Sequence, residues 1–227
     1  NTPIHMQGIY DGFQINGILD FNAMINGFFS KDNNPSLKID FLIQEASYKL
    51  NNNPFALNNM SLKGYLDNGV NNNFKDTEIQ FSHFNCETKK GSIKGVFNLK
   101  NLDNYYLDGT FDWTWDLKEV NTYLTDSPFS SLNGKLNAQT SYKGDISFNK
   151  DFKDKFLNSS HESKIDIENM RFVYEDSSLV FNIVEANCLM YNNTIKVASS
   201  KITINDSDIE FDGLVKDFAK YLLKNQG

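Results

Sequence analysis

The groups in this chain that could do chemistry are few and stand apart. His83 and Cys86, in "HFNC", are the nearest thing to a metal-ligand pair, but their spacing puts them on opposite faces of a strand, and His5 and His161 have no suitably spaced partner. Cys86 and Cys188, the only cysteines, are too far apart in sequence for a zinc motif or a disulfide framework and read as two buried strand residues. Asp108 with Asp112, or Glu175 with Asp176, would be the candidates for a glycosidase-type carboxyl pair, yet they sit in the pattern of solvated strand faces and turns. No Gly-x-Ser-x-Gly elbow, phosphate-cradling loop or dinucleotide fingerprint occurs. The chain is read as non-enzymatic, with no metal and no cofactor.

A different kind of surface is written in "YYLDGTFDWTWDLKEVNTYL" (105–124). Strand alternation puts Leu107, Gly109, Phe111, Trp113, Trp115 and Leu117 on one side, and Asp108, Thr110, Asp112, Thr114 and Asp116 on the other. One face is apolar and holds both tryptophans of the chain; the other is polar.

The same pattern extends along most of the 227 residues. A frame of apolar-x-Gly-x-apolar recurs as "INGIL" (15–19), "INGFF" (25–29), "LKGYL" (62–66), "IKGVF" (93–97), "LDGTF" (107–111), "LNGKL" (132–136), "YKGDI" (142–146) and "FDGLV" (211–215). With flanking alternation, as in Ile93, Gly95, Phe97 and Leu99, these read as half-buried antiparallel strands. Asparagine-rich turns such as "NNNP" (51–54), "DNGVNNN" (67–73) and "KNLDN" (100–104) separate them, as in a meander of hairpins. Glycine weakens a strand, so its place in the apolar row predicts a bend, a bulge or a close approach to the backbone. Two segments read as short amphipathic helices, 116–124 with Asp116 and Glu119 placed for a capping box and 216–223 after "FDGLV"; the charged stretch 148–160 reads as a helix or a loop. A glycine-centred strand followed by a helix, twice, predicts a loose internal repeat.

Composition narrows the partners. Aromatic residues make up 14% of the chain, with 19 Phe and 10 Tyr, types that favour strands. A net charge of -7, with no basic stripe in the sequence, argues against nucleic acid as a partner and disfavours electrostatic adhesion to anionic lipid head groups. No apolar run of about 18 residues is present, and the start "NTPIHMQGIYDG" has no signal-peptide pattern, so the chain is expected to be a piece excised from a longer protein.

The glycine-centred strands, the "GVFNLKNL…LDGTFDW…DLKEVNTYL" passage and the "IDIENMRFVYEDSSLVFNIVEANCLMYNNTIKV…SDIEFDGLVKDFAKYLL" ending resemble the C-terminal region of AsmA-like proteins, including AsmA, TamB and YhdP types, over roughly residues 55 to 223. The resemblance implies a long, strongly twisted antiparallel sheet curved into a groove with two or three short helices. It further implies the periplasmic part of an inner-membrane-anchored protein of a Gram-negative bacterium, with the anchor outside this chain. The implied task is phospholipid movement toward the outer membrane, with envelope proteins as further partners.

The combined expectation is one β-groove region over 1–227, with sub-units 1–124 and 125–227 each ending in a short helix. Its lipid-contacting face would comprise Ile93, Phe97, Leu107, Phe111, Trp113 and Trp115, with Ile209 and Phe211 from the second copy, and Gly95, Gly109 and Gly213 would shape the groove. The competing expectation is a β-sandwich with an ordinary closed core that binds a protein or glycan through its loops.

Overall fold

The computed structural model describes residues 4–10, 13–30, 34–50, 56–122, 129–147, 152–174 and 179–217. Within them, β1 (Ile4–Tyr10), β2 (Phe13–Asn26), β3 (Ser36–Leu50), β4 (Ala56–Asp67), β5 (Glu78–Glu87), β6 (Ser92–Lys100), β7 (Tyr106–Asp116), β8 (Phe129–Asp145), β9 (Ser160–Tyr174), β10 (Val180–Tyr191), β11 (Thr194–Ile204) and β12 (Ser207–Glu210) are hydrogen-bonded in chain order, and β13 (Gly213–Val215) pairs with β11. Two short helices interrupt the strands, α1 (Leu117–Asn121) after β7 and α2 (Phe152–Asn158) after β8. The fold is therefore mainly β and antiparallel, as the alternation predicts, and the charged stretch 148–160 contains a helix. The meander follows from the turn chemistry: Asn72, Asn101, Asn192 and Asn205 all adopt the left-handed conformation that asparagine tolerates.

Two compact units form, one from Asn1–Thr88, Ile93–Thr110 and Tyr142–Ser159, the other from Lys89–Ser92, Phe111–Ser141 and Ser160–Gly227. This division differs from the expected cut at 124/125. Antiparallel strands group by lateral pairing rather than by position in the chain, and β7 and β8 each contribute residues to both units.

Each unit sets a glycine of one strand against a left-handed residue of the next. In the first, the β2–β3 register slips between Asn16 and Ile18, Gly17 lies against Ala46, and Glu45 just before it has φ 51°. In the second, Gly134 of β8 lies against Met170 of β9, and Asn169 just before it has φ 49°. Both glycines belong to the same frame, "INGIL" and "LNGKL". Gly134 also has φ 116°, and a Cβ there would stand 2.8 Å from the Asn169 carbonyl oxygen, so only glycine fits. The next strand slips in each case, β4 between Asn58 and Ser61 and β10 between Ile183 and Glu185. Bulges on successive strands increase local twist and bend the strands that carry them. The internal repeat visible in the structure is thus β2–β4 with β8–β10. The expected strand-to-helix repeat cannot be followed through its second helix, because residues 218–223 lie outside the described residues; Lys216 and Asp217 form a turn.

Two of the glycine frames are not continuous strands. In "INGFF" the strand stops at Asn26 and Gly27 turns the chain at φ 113°, leaving Phe28 and Phe29 outside it. In "FDGLV" the outer edge of β11 is interrupted at Phe211 and Asp212, where the buried Ser200 spans the break: its carbonyl accepts from Phe211 N (3.3 Å) and its hydroxyl donates to the Phe211 carbonyl (2.8 Å).

Helix α1 is too short to be stable alone and is held by its contacts. Leu117 is buried, and Asp116 caps the helix by accepting from Glu119 N at 3.0 Å. The buried Glu119 carboxylate accepts from Lys89 N (2.9 Å) and Lys90 N (2.8 Å), while the Lys90 ammonium lies 3.5 Å from Asp116. One carboxylate thus ties the helix to the turn before β6. Glu119→Ala is expected to cost about 2 kcal/mol, since charge-assisted hydrogen bonds are lost and a partly buried turn loses its acceptor. Glu119→Gln, which keeps one acceptor, should recover part of that loss in urea unfolding.

Candidate apolar binding face

In the first unit the apolar row is an interlocked set of phenylalanines. Phe41 meets Phe81 edge to face at 5.6 Å between centroids, Phe81 stacks on Phe97 at 4.3 Å, and Phe84 meets Phe97 edge-on at 5.8 Å. Simple alternation would send Phe81 and Phe84 to opposite faces. The register slip between Lys63 and Gly64, which pair with His83 and Phe81, inserts an extra residue in β5 and brings both rings to Phe97.

Glycine makes room for these rings. Phe41 pairs with Gly64, and a Cβ on Gly64 would lie 2.7 Å from the Phe41 Cζ. A Cβ on Gly109 would collide with the Phe97 Cβ and stand 2.9 Å from the Val96 carbonyl oxygen. Gly64 is thus a notch for the neighbouring strand's phenylalanine ring, and Gly109 permits the close approach of β6 at the base of Phe97. Of the expected liners in this unit, Ile93, Phe97 and Leu107 are half-buried, as are Gly95 and Gly109.

In the second unit Phe111, Trp113 and Trp115 form a ladder along β7, with centroids 6.0 Å and 6.4 Å apart, and all three are half-buried. The Trp113 Nε1–H is buried with no hydrogen-bond acceptor. The opposite face is polar in both units: Lys143 pairs with Asp108 at 3.3 Å in the first, and Thr114 lies 3.2 Å from the Asn137 side-chain oxygen in the second.

Ile209 and Phe211 do not join the tryptophan ladder. Strands β8 to β11 lie between β7 and β12 in the sheet order, and Ile209 and Phe211 are 41% and 42% exposed at the outer edge. There the Phe211 ring folds over Gly213, with its Cζ 2.8 Å from where a Cβ would be, so Gly213 also serves as a notch. Phe41, Phe81, Phe84 and Gly64 are the face residues that sequence reasoning did not include. The "LKGYL" frame was a signal for Gly64, whereas nothing in the local sequence marks the β5 bulge.

The potentially reactive side chains are engaged in the fold. Cys86 is buried and Cys188 half-buried, both as free thiols that burial pushes above the ordinary thiol pKa. His83 Nε2 lies 2.8 Å from the Ser61 hydroxyl. His161 is buried, its Nε2–H donating to the Asn192 carbonyl at 2.6 Å; burial holds its pKa below the ordinary value while that hydrogen bond works in the other direction. Among the described residues no group of three His, Cys, Asp or Glu is arranged to hold a metal ion.

Comparison with family models, with curated proteins and with solved structures gives no match to this chain.

Two expectations follow. Gly109→Ala should lower the melting temperature, and Gly109→Val should lower it more, because the added atoms meet backbone and the fixed base of Phe97; a valine that raises stability would mean that the notch is not filled. For His161, the unfolded chain binds a proton at a pH where the folded chain still refuses one. Stability is therefore complete above about pH 6.5 and falls as pH drops below it. Between pH 7.5 and 5.5, urea unfolding should show a larger loss for the wild type than for His161→Gln.

Proposed function

We propose that this chain is a non-enzymatic module of an AsmA-like protein that holds lipid acyl chains against the apolar face of its sheet, contributing to phospholipid movement between the inner and outer membranes. The observation that carries this reading is the aromatic ladder Phe111–Trp113–Trp115. These large apolar rings lie in register on one side of a strand, yet none of the three is fully buried. The phenylalanine set of the first unit has the same character: Phe41, Phe81, Phe84 and Phe97 pack edge to face and in stacks while none is fully buried. A closed sandwich core would bury most such rings. Here the buried apolar residues among those described are Ala46, Cys86, Leu117, Leu132 and Ala186, mostly small and none aromatic.

The energetics suit a carrier. Each methylene removed from water contributes about 0.8 kcal/mol, so six to eight of them supply roughly 5 to 6 kcal/mol before the cost of ordering the chain. Occupancy of that strength permits a chain to move along the face. The net negative charge fits a ligand held by its tail rather than by an anionic head group. No described helix is long and apolar enough to cross a membrane. The reading places this region in the periplasm of a Gram-negative bacterium, with membrane attachment through segments outside it and envelope proteins as further partners.

Native mass spectrometry of the purified protein is the test. Phospholipid should co-purify, and Trp113→Asp should reduce the bound fraction several-fold while far-UV circular dichroism stays strand-like. A fully lipid-free protein that also takes up no added phospholipid would overturn the reading.

A further inference from the structure

The asparagine-rich segment 67–77 does more than reverse the chain between β4 and β5. Asn68 clasps the start of β3: its backbone N–H donates to the Leu37 carbonyl (3.1 Å), its side-chain oxygen accepts from Leu37 N (2.7 Å), and its side-chain amide donates to the Pro35 carbonyl (2.8 Å). Asn34 donates to the Asn72 carbonyl (3.1 Å), the Thr77 hydroxyl to the Asn73 carbonyl (2.6 Å), and Leu102 N to the Phe74 carbonyl (2.8 Å). Gly69 permits the turn: φ is 76° and a Cβ would lie 2.5 Å from the Asp76 carbonyl oxygen. The segment is thereby fixed over the ends of β2, β3 and β4.

Beneath it lies a cleft of about 330 Å³, with apolar walls supplied by Ile25, Phe29, Leu37, Leu66, Phe74 and Leu102. None of its lining residues is charged, and the Asn34 and Asn68 amide donors that border it are spent on backbone carbonyls. The mouth is apolar as well. Phe29 and Phe74 line the cleft yet are 79% and 68% exposed; Phe28, next to Phe29, and Val70, four residues before Phe74, are 89% and 94% exposed. Side chains of this kind are seldom left so bare without a ligand or a surface to meet.

We propose that this cleft is a binding site, separate from the aromatic face, for the end of a single hydrocarbon chain, with the chain's polar head left outside. An engineered apolar cavity of about 150 Å³ holds a benzene ring, so one aromatic side chain from a protein partner would leave about half of this cleft unfilled. A flexible alkyl chain fills an irregular apolar space of this size, and the lack of a cationic side chain in the lining leaves a carboxylate or phosphate no ion-pair partner within. The same chemistry is offered by a free fatty acid and by an acyl chain of a membrane phospholipid. The proposal rests on the geometry of the first unit alone.

Isothermal titration with sodium alkanoates and with lysophosphatidylcholines, each from eight to sixteen carbons and below its micelle concentration, tests it. Affinity should rise about fourfold per methylene and then level off once the cleft is full, equally for both head groups. Leu102→Trp, which fills the space, and Phe74→Ser, at an exposed position that folding should tolerate, should each remove one binding equivalent or weaken it at least tenfold. Lipid transferred from dioleoylphosphatidylcholine vesicles to the wild type but not to Phe74→Ser supports the site with membrane lipid as the source; binding of the monomeric alkanoates and lysolipids without such transfer supports it with a free single-chain lipid as the source. Unaltered binding by Phe74→Ser, or affinity that follows head-group charge rather than chain length, overturns it. In that event a ligand response of Trp113 still stands for the aromatic face, so the two readings fail separately.

Discussion

A phenylalanine ring can lie flat across a β-sheet only where the neighbouring strand leaves a gap, and in this protein the gap is a glycine. Phe41 over Gly64 shows the arrangement in the first unit; at Gly109 the close neighbours are the Cβ and backbone of Phe97, and at Gly213 the ring is that of Phe211, two residues earlier in the same segment. The consequence is a face that covers part of its own apolar surface with its own rings. Phe41, Phe81, Phe84 and Phe97 reach one another through the gap at Gly64 and the extra residue in β5. What a strand loses by carrying glycine is offset by ring contacts across the pair, each contributing about 0.5–1.5 kcal/mol beyond area burial.

Bulges set where such a face bends. Gly17 with Glu45, and Gly134 with Asn169, place a glycine on one strand opposite a left-handed residue on the next, and the following strand then slips its register. The same sequence frame thus performs two jobs. In "LKGYL" the glycine accommodates a ring, while in "INGIL", "LDGTF" and "LNGKL" it accommodates the close approach of a neighbouring strand.

The strands and most turns were legible in the sequence because side-chain alternation and asparagine spacing are local properties. Cys86 and Cys188 as strand residues, Asp116 as a cap and the tryptophan ladder were legible for the same reason. The rest depends on partners distant in sequence. Phe84 joins Phe81 only because β5 bulges against β4, and Glu119 leaves its own helix for the 89–90 turn because two backbone donors there need an acceptor. The frames at Gly27 and Gly213 look like their neighbours in sequence, yet one ends a strand and the other follows a break at the sheet edge. The cleft under the 67–77 segment was not legible at all, since Ile25, Leu37, Leu66 and Leu102 come from four separate stretches and the segment above them reads simply as a turn.

Whether acyl chains lie on the aromatic ladder is decided most directly by contact quenching. Phosphatidylcholine with bromine atoms on its acyl chains should quench the emission of Trp113 and Trp115, and the quenching should diminish in Phe111→Asp, which puts a charge on the same row. A head-group-labelled quencher should act more weakly than the chain-labelled lipid. Emission unchanged by brominated chains, at lipid concentrations where binding is established independently, would contradict the account and return the ladder to the role of ordinary packing.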